Sequence, residues 1–428
     1  MKTPSATLTP ALKTPPPDWP IYSFLFLLLG SSILPVEFIS GMNAYFLILA
    51  VLVWFSKKRE FPKSLLVFLS CFLIIIFIGF ISGINNEIYP YFKDAWYFIN
   101  PVIIIFVGYC LGAQTPLLNK ALRILIIAGL ILAFLHLSKF AVYPKLLAMQ
   151  ATEVRSIAGN GNFVVGLTCA FLLATVGRWR ETLAISPILG WAILIICCTS
   201  MVLAYSRTLI LVALVLWVAL RGGMMGARML KISVAAVLAL AFLATLSTFL
   251  PKATEMDKKT FSGKLLRSAQ ELTISDYRDE QSINDNFRGF ETARAFKSYA
   301  DGGPLRWLGG RGFGHFIDLG VTLSLGEGPM RYIPILHNGI MYVLVKTGLF
   351  GLFIYLVCFG WIFRRGTYAT HSTIKDEQFS GRIVQGTVAI CLLTSWLIAG
   401  PFNKSSLVSV LLLLGFCLAI IERKELYK

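Results

Sequence analysis

Charged residues are scarce in this chain, since only 14% of its 428 residues are Asp, Glu, Lys or Arg. About a quarter is usual in soluble proteins, whereas 56% of this chain is hydrophobic and its mean hydropathy is +0.72. The apolar residues form repeated blocks of membrane-spanning length. Because lipid cannot hydrogen-bond to the backbone, such blocks form helices. The composition therefore predicts an all-α polytopic membrane protein.

The chain also lacks the patterns of a disulfide-rich or metal-binding domain. None of its eight cysteines lies in the polar run from Pro251 to Pro334, and no Cys/His spacing of a metal site is present. Nor does that run contain an Asp-x-Asp pair, because its aspartates Asp276, Asp279 and Asp285 are spaced otherwise. We therefore predict neither a metal nor a cofactor.

The apolar blocks predict about twelve membrane spans. A helix needs roughly 20 residues to cross a hydrocarbon core of about 30 Å, and fewer where its ends are polar. The first six predicted spans are 21–37, 42–56, 64–83, 95–112, 119–140 and 160–178. The second six are 184–200, 203–221, 229–250, 336–364, 384–400 and 403–421.

Basic residues predict the orientation. The net charge of +17 alone would suggest a nucleic-acid partner, but about twenty of the 39 Lys/Arg lie at the termini or in short loops between alternate apolar blocks. That distribution is typical of cytoplasmic loops. The predicted domains are a Pro-rich cytoplasmic tail at 1–20, nine spans in 21–250, a large periplasmic loop at 251–335, three spans in 336–421 and a tail at 422–428.

The large loop carries twelve Lys/Arg and eleven Asp/Glu, so water-facing chemistry is expected there. The spacing of apolar residues predicts a helix within 285–299, and short helices are expected elsewhere in the loop. Gly302-Gly303-Pro304 breaks the chain before the glycine-rich turn at 309–314. The predicted helix could equally lie on the membrane surface over a cavity.

Several arginines could bind an anion. Arg207 opens the eighth span and Arg155 lies in a short outer loop, although either guanidinium could simply reach the membrane interface. Arg288 and Arg294 lie on the predicted loop helix, where a solvated face is the alternative. Arg311 lies in the glycine-rich turn, where a guanidinium beside exposed backbone N–H groups would suit phosphate oxygens.

His337 lies where the loop re-enters the membrane. Its imidazole is the side chain best suited to take a proton at neutral pH, although an interfacial histidine can also be a packing residue. His136, deep in the fifth span, is interpreted as structural. Lys346 lies within the tenth span, and an ionisable group there is a functional candidate by default, but the sequence assigns it no role.

Taken together, these residues resemble the O-antigen ligase/polymerase family of bacterial membrane glycosyltransferases. Three patterns carry the resemblance: Ser206-Arg207-Thr208 before an apolar helix, Arg288-Gly-Phe-Glu-Thr-Ala-Arg294 leading to Leu308-Gly-Gly-Arg-Gly-Phe-Gly314, and His337-Asn338 before Gly348-Leu349. The large loop between the ninth and tenth spans also matches. Where the family often has an acidic residue before the first glycine of the third motif, this chain has Lys346, so no role of that acid is carried over.

The resemblance implies a helical fold similar to other lipid-linked glycosyltransferases, at the periplasmic face of the bacterial inner membrane. It implies transfer of a preassembled glycan from undecaprenyl diphosphate to the lipid A-core oligosaccharide, with inversion and without a metal. His337, Arg207 and Arg288 are the expected catalytic residues. Arg207, Arg288, Arg311 and Arg155 are expected to bind the diphosphate, with Asn338 and Arg294 in support.

Two other functions remain open from the sequence. A polymerase would use the same donor but join glycan repeats to one another, and the spacings Arg155 to Gly166 and Arg278 to Gly289 are reminiscent of polymerases. A transporter or flippase would explain the number of spans and Lys346. Transporters usually have related halves with broken helices at matching positions, and the halves of this chain differ.

Overall fold

The computed structural model describes residues 19–56, 62–115, 118–149, 151–222, 224, 283, 287–324, 328–402 and 407–423, and helices account for most of them. In the first half of the chain the helices are α1 (Trp19–Ile33), α2 (Val36–Ser56), α3 (Lys63–Ser82), α4 (Ile88–Gln114), α5 (Leu118–Val142), α6 (Ala151–Ala158), α7 (Phe163–Ala174), α8 (Trp179–Thr182), α9 (Pro187–Leu203) and α10 (Arg207–Leu220). A 3-10 helix at Pro144–Ala148 precedes α6.

The second half contains α11 (Phe287–Ala300), α12 (Gly303–Gly309), α13 (Gly339–Ala369), α14 (Lys375–Leu397) and α15 (Val408–Ile421). Between α12 and α13 the strands β1 (Ile317–Ser324) and β2 (Pro329–Ile333) form an antiparallel hairpin. Residues 1–18 of the predicted tail, the predicted ninth span and residues 251–282 of the predicted loop lie outside the described residues.

The helices have the length and composition of a membrane protein. Five are long and apolar enough to cross a bilayer, namely α2, α3, α4, α5 and α13, and five shorter apolar helices accompany them. Large apolar side chains on their outer surfaces, such as Phe77 and Ile188, are exposed. A water-soluble monomer would rarely expose so much contiguous apolar surface, whereas a bilayer would cover it. The predicted class, a mainly helical membrane protein, is confirmed.

Eleven of the twelve predicted spans coincide with described helices, with shifted ends. The first two predicted spans differ from α1 and α2 mainly at the junction between them, where α1 ends at Ile33 and α2 begins just after Pro35. Proline cannot continue a helix and restricts the residue before it. Helix α14 begins at Lys375, nine residues before the apolar block, with Asp376 and Glu377 in its first turn, where negative charge favours a helix start.

The hairpin β1–β2 was not predicted, since the sequence indicated only short helices within the loop. Ile317, Leu319 and Leu323 are buried on one side of β1, which is the alternation expected of a strand. Gly320 has φ +72° and interrupts the short pattern. Across the hairpin the Asp318 carboxylate accepts two hydrogen bonds from Arg331, at 2.9 and 3.0 Å. The sequence therefore contains the alternating pattern of a strand, but over only a few residues.

Glycines let α4 and α15 approach each other at backbone distance. A Cβ added at Gly108 would lie 2.3 Å from the carbonyl oxygen of Leu412, and one at Gly112 would lie 2.4 Å from that of Phe416. From the opposite helix, a Cβ at Gly415 would lie 2.0 Å from the carbonyl oxygen of Ile105. Small residues at the interface between membrane helices allow this close packing.

The substitution Gly112→Ala should destabilise the protein, because the added methyl group must push α15 away from α4. Overpacking of this kind costs about 1–3 kcal/mol. Gly360→Ala, in α13, is the matched control, since a Cβ there meets nothing within 4 Å and alanine is the better helix former. Thermal unfolding in detergent should show a lower midpoint for the Gly112 variant alone. Equal midpoints for the two variants would contradict the contact.

Candidate functional site

A buried ion pair joins the loop segment to the helices. Lys346, only 1% exposed, lies within α13, and its Nζ is 2.6 Å from Oδ2 of Asp94 on α4. The same ammonium group donates to the carbonyl oxygen of His315, at 2.6 Å. Asp94 in turn accepts hydrogen bonds from the main-chain N–H of Gly314 at 2.7 Å and from the Tyr342 hydroxyl at 2.5 Å. We call Lys346 and Asp94 the clamp.

The clamp gives Lys346 the role that its sequence position left open. A buried charge is tolerated when it is paired and hydrogen-bonded, and here both charges are. Gly314, the last residue of the glycine-rich turn, bonds to the pair through its N–H, and His315, which follows the turn, bonds to it through its carbonyl. Lys346 therefore holds the turn against α4 and α13.

The glycine-rich turn fits into a break in α13. Gly348 has φ +67°, which interrupts the helix, and a Cβ there would lie 2.2 Å from the carbonyl oxygen of Leu308. Two main-chain N–H groups of the turn, those of Arg311 and Gly312, donate to the carbonyl oxygens of Val345 and Lys346, at 2.7 and 3.1 Å. Glycine is required at the break because it alone combines positive φ with this close approach.

The backbone N–H groups of the turn are not available to a phosphate, which corrects the expectation from the sequence. The N–H groups of residues 310–314 donate to Arg306 O, Val345 O, Lys346 O, Gly79 O and Asp94 Oδ2. The Arg311 guanidinium donates to the carbonyl oxygen of Ser298 through Nε at 3.0 Å and Nη2 at 2.6 Å. Its role as a phosphate ligand stays a prediction, and these contacts favour a structural role.

The turn is also fixed to α11 through His315. Its Nε2 lies 2.9 Å from the Ser298 hydroxyl. Burial, followed by the positive charges of Lys346, Arg311 and Arg306, lowers the pKa of His315 to about 4. The ring is therefore neutral at physiological pH and adds no charge beside the clamp. Together with Arg311, it ties the C-terminal half of α11 to the turn.

His337 contacts a buried carboxylate on α11. The main-chain N–H of His337 donates to Oε2 of Glu291 at 2.9 Å, and its Nδ1 lies 3.2 Å from each carboxylate oxygen. The His337 side chain is 47% exposed, whereas that of Glu291 is 1% exposed. Phe287 packs edge-on against the imidazole at 5.8 Å between ring centres. With Nδ1 directed at the carboxylate, Nε2 lies on the other edge of the ring.

Asn338 supports this position from the adjacent helix end. Its Oδ1 accepts a hydrogen bond from the main-chain N–H of Met341 at 3.1 Å, so that Asn338 is the N-cap of α13. Only this N-cap residue separates His337 from the 31-residue helix. Asn338 therefore caps the helix, and His337 faces α11.

Three of the four arginines predicted to bind the diphosphate interact electrostatically. Arg155 lies on α6, Arg207 is the first residue of α10, and Arg288 lies on α11. Burial lowers the pKa of Arg155, and the positive charges of Arg288 and then Arg207 lower it further. Arg155 Nε donates to Asn160 Oδ1 at 2.6 Å, and Arg288 Nη1 to the carbonyl oxygen of Leu397 at 3.3 Å. We call Arg155, Arg207 and Arg288 the arginine cluster.

Helix α10 adds to the positive potential of the cluster. Ser206 is its N-cap, because the Ser206 hydroxyl accepts the main-chain N–H of Leu209 at 3.4 Å. Arg207 therefore stands at the positive end of the helix dipole, where anions rather than cations are stabilised. A cation held there beside two other cations favours an anionic ligand.

The arginine cluster and His337 meet through one turn of α11. Arg288 and Glu291 are three residues apart and therefore neighbours on the helix surface, and Glu291 contacts His337. The candidate site thus combines a half-exposed imidazole with three guanidinium groups from three helices. Leu397, the partner of Arg288, is the last residue of α14, so that α14 also borders the site.

The Arg294 side chain, although also one helical turn from Glu291, is directed at the hairpin. Its guanidinium lies over the Phe290 ring at 5.2 Å and near Gly320 of β1. Together with Lys297 and Val321 it lines a cavity of about 280 Å³ between α11 and the hairpin. The structure therefore does not bring Arg294 to His337, and its supporting role stays a prediction.

Glu291 is the residue of the site that the sequence reading missed. It is the only acidic residue of α11, and it follows Arg288 by one helical turn, but that spacing did not show what the carboxylate faces. Among the described residues, no group of three His, Cys, Asp or Glu side chains could hold a metal ion. No family model matches the chain, and no curated protein matches it. A function for this protein is therefore inferred from its residues and from the geometry of the site.

The substitution Lys346→Met should lower the free energy of unfolding by about 3–5 kcal/mol, because it leaves the Asp94 carboxylate buried without its partner. Adding Asp94→Asn should restore part of that loss, since the double variant buries no unpaired charge. Lys139→Met is the control, because Lys139 is exposed on α5 and donates only to the carbonyl oxygen of Ala158 among described contacts. Thermal or denaturant unfolding in detergent measures the stability of all three variants. Equal effects of the two single lysine variants would contradict the clamp.

Proposed function

We propose that the protein is a membrane glycosyltransferase of the O-antigen ligase type. It transfers a preassembled glycan from undecaprenyl diphosphate to a sugar hydroxyl of the lipid A-core oligosaccharide, at the periplasmic face of the bacterial inner membrane. The observation that supports the proposal is the electrostatic interaction of Arg155 with Arg288 and Arg207, which come from three separate helices. Arg288 lies one helical turn from Glu291, which contacts the half-exposed imidazole of His337. A group transfer from a diphosphate can use both components.

The reaction assigns a role to each component. The acceptor hydroxyl oxygen attacks the anomeric carbon of the donor sugar, the bond from that carbon to the diphosphate oxygen breaks, and its electron pair leaves with the diphosphate. His337 Nε2 takes the proton of the attacking hydroxyl. The arginine cluster stabilises the negative charge that gathers on the leaving diphosphate. Attack from the side opposite the leaving group inverts the anomeric configuration.

The position of the site suits a lipid-linked donor. His337 immediately precedes Asn338, the N-cap of the long apolar helix α13, and the Arg288 guanidinium contacts the last residue of α14. Charged and polar groups at the ends of membrane helices lie at the depth of the lipid headgroups. A diphosphate on a polyprenyl chain occupies the same depth, with its hydrocarbon chain in the bilayer.

His337→Ala should abolish glycan transfer without loss of the protein from the membrane, because the base is removed from an exposed position. His371→Ala is the matched control, since His371 is exposed in the turn that follows α13. The assay combines purified protein in detergent with the lipid-linked glycan donor and the lipid A-core acceptor. Full activity of the His337 variant would contradict the assignment.

The same assay separates the other candidate functions. Lengthening of the donor glycan without modification of the lipid A-core acceptor would identify a polymerase. Because a detergent solution has no compartments, transfer from one lipid to the other would exclude a transporter. The absence of either product with the unmodified protein would contradict the proposal as a whole.

Replacing Arg155, Arg207 or Arg288 by alanine should reduce kcat/KM for the donor about 10- to 100-fold each, since a hydrogen bond to a charged group contributes about 1.5–3 kcal/mol. Lysine at the same positions should restore part of the activity, because it keeps the charge but not the forked donor geometry. Arg364→Ala is the control, since this exposed guanidinium contacts Tyr368 within α13. Wild-type rates in all three cluster variants would exclude the cluster as the diphosphate site.

A further inference from the structure

The Glu291 carboxylate is buried, and among the described contacts its hydrogen-bond partner is His337. Removing a carboxylate from water is costly unless it is paired and hydrogen-bonded. Both contacts of Glu291 come from the same residue, the main-chain N–H and the Nδ1 of His337. If Glu291 only stabilised α11, its carboxylate would not have to contact the His337 imidazole.

We propose that Glu291 is the positioning residue for His337. It holds the imidazole with the proton on Nδ1 and the lone pair of Nε2 directed away from α11, towards the acceptor hydroxyl. This inference rests on the proposed function, because it names the residue that makes His337 a competent base.

The geometry fixes the ring at three points. Glu291 anchors the main chain of His337 at 2.9 Å and its Nδ1 at 3.2 Å, while Phe287 packs against the ring at right angles. Because the tautomer of a histidine is set by the hydrogen bond made by its other nitrogen, a carboxylate at Nδ1 leaves Nε2 unprotonated. Because the ring is already oriented, it does not have to be reoriented when the substrate binds.

The Glu291 carboxylate is the negative charge beside His337. Arg288 lies one helical turn from Glu291, and Arg288 and Arg207 both act electrostatically on Arg155. When Nε2 takes the proton of the acceptor hydroxyl, His337 becomes an imidazolium, and Glu291 is the adjacent negative charge that stabilises it. The proton leaves to solvent once the products separate.

Glu291→Gln removes the charge while keeping the size and an accepting oxygen. We expect kcat to fall about 10²- to 10⁴-fold, as when the carboxylate beside a catalytic histidine is neutralised, with KM for the donor changed by less than about threefold, since a KM left unchanged means that ground-state binding is intact. We also expect the acid limb of the kcat/KM profile to move to lower pH. Glu291→Asp keeps the charge, so its profile should keep the wild-type position at an intermediate rate.

Glu422→Gln is the matched control. Glu422 is also buried, and its carboxylate pairs with Arg365 at 3.1 Å and accepts from the Tyr109 hydroxyl at 3.1 Å. Its neutralisation should lower the thermal midpoint without moving the pH profile. If Glu291→Gln behaved like this control, with the wild-type profile and kcat, Glu291 would be structural and the inference overturned.

A second measurement does not depend on the reaction. Diethyl pyrocarbonate modifies neutral imidazoles, and peptide mass spectrometry follows His337 with the exposed His371 as an internal reference. At pH 6 the His337 of the Glu291→Gln variant should be modified at least about threefold faster than in the wild type, because the carboxylate no longer favours the imidazolium. An unchanged ratio of His337 to His371 modification would overturn the inference.

The two proposals fail in different ways. An active His337→Ala variant contradicts the proposed function, and the chemical modification then still tests the contact between Glu291 and His337. An inactive His337→Ala variant together with a fully active Glu291→Gln variant contradicts the inference alone.

Discussion

The buried ion pair between Lys346 and Asp94 is the interaction on which the candidate site depends. It joins α13 to α4 and binds Gly314, the last residue of the glycine-rich turn, and His315, which follows the turn. The turn then fills the break of α13 at Gly348 and, through Arg311, holds the end of α11. Since α11 carries Arg288 and Glu291, the clamp sets the position of the helix that forms one wall of the site.

Each residue of the candidate site is positioned by a different local feature of the fold. The N-cap Ser206 fixes Arg207 at the start of α10, the N-cap Asn338 fixes His337 at the start of α13, and the spacing of three residues on α11 puts Arg288 beside Glu291. In the proposed reaction the arginine cluster supplies positive potential for the leaving diphosphate, and the buried carboxylate of Glu291 stabilises the imidazolium that forms when His337 takes the proton. The proposed site therefore offers positive charge to the leaving group and negative charge to the base.

The sequence predicted the parts of this arrangement that depend on local pattern. Apolar blocks predicted the helices, and the spacing of apolar residues predicted α11. The motifs indicated His337, Arg207 and Arg288 as residues of one site. The ion pair of Lys346 with Asp94 could not be predicted, because it joins residues far apart in the chain and depends on the packing of α4 against α13. For the same reason the sequence did not show that main-chain N–H groups of the glycine-rich turn bond to the carbonyl oxygens of Val345, Lys346 and Gly79. The hairpin was missed because its alternating pattern is short and contains Gly320.

The most direct test of the site is a structure of the protein with an undecaprenyl diphosphate-linked sugar bound. We expect the two phosphates to contact the guanidinium groups of Arg155, Arg207 and Arg288, and the anomeric carbon to face Nε2 of His337 across the space for the acceptor hydroxyl. A diphosphate bound instead in the cavity beside Arg294 and Lys297, or anywhere without contact to the arginine cluster, would contradict the central claim.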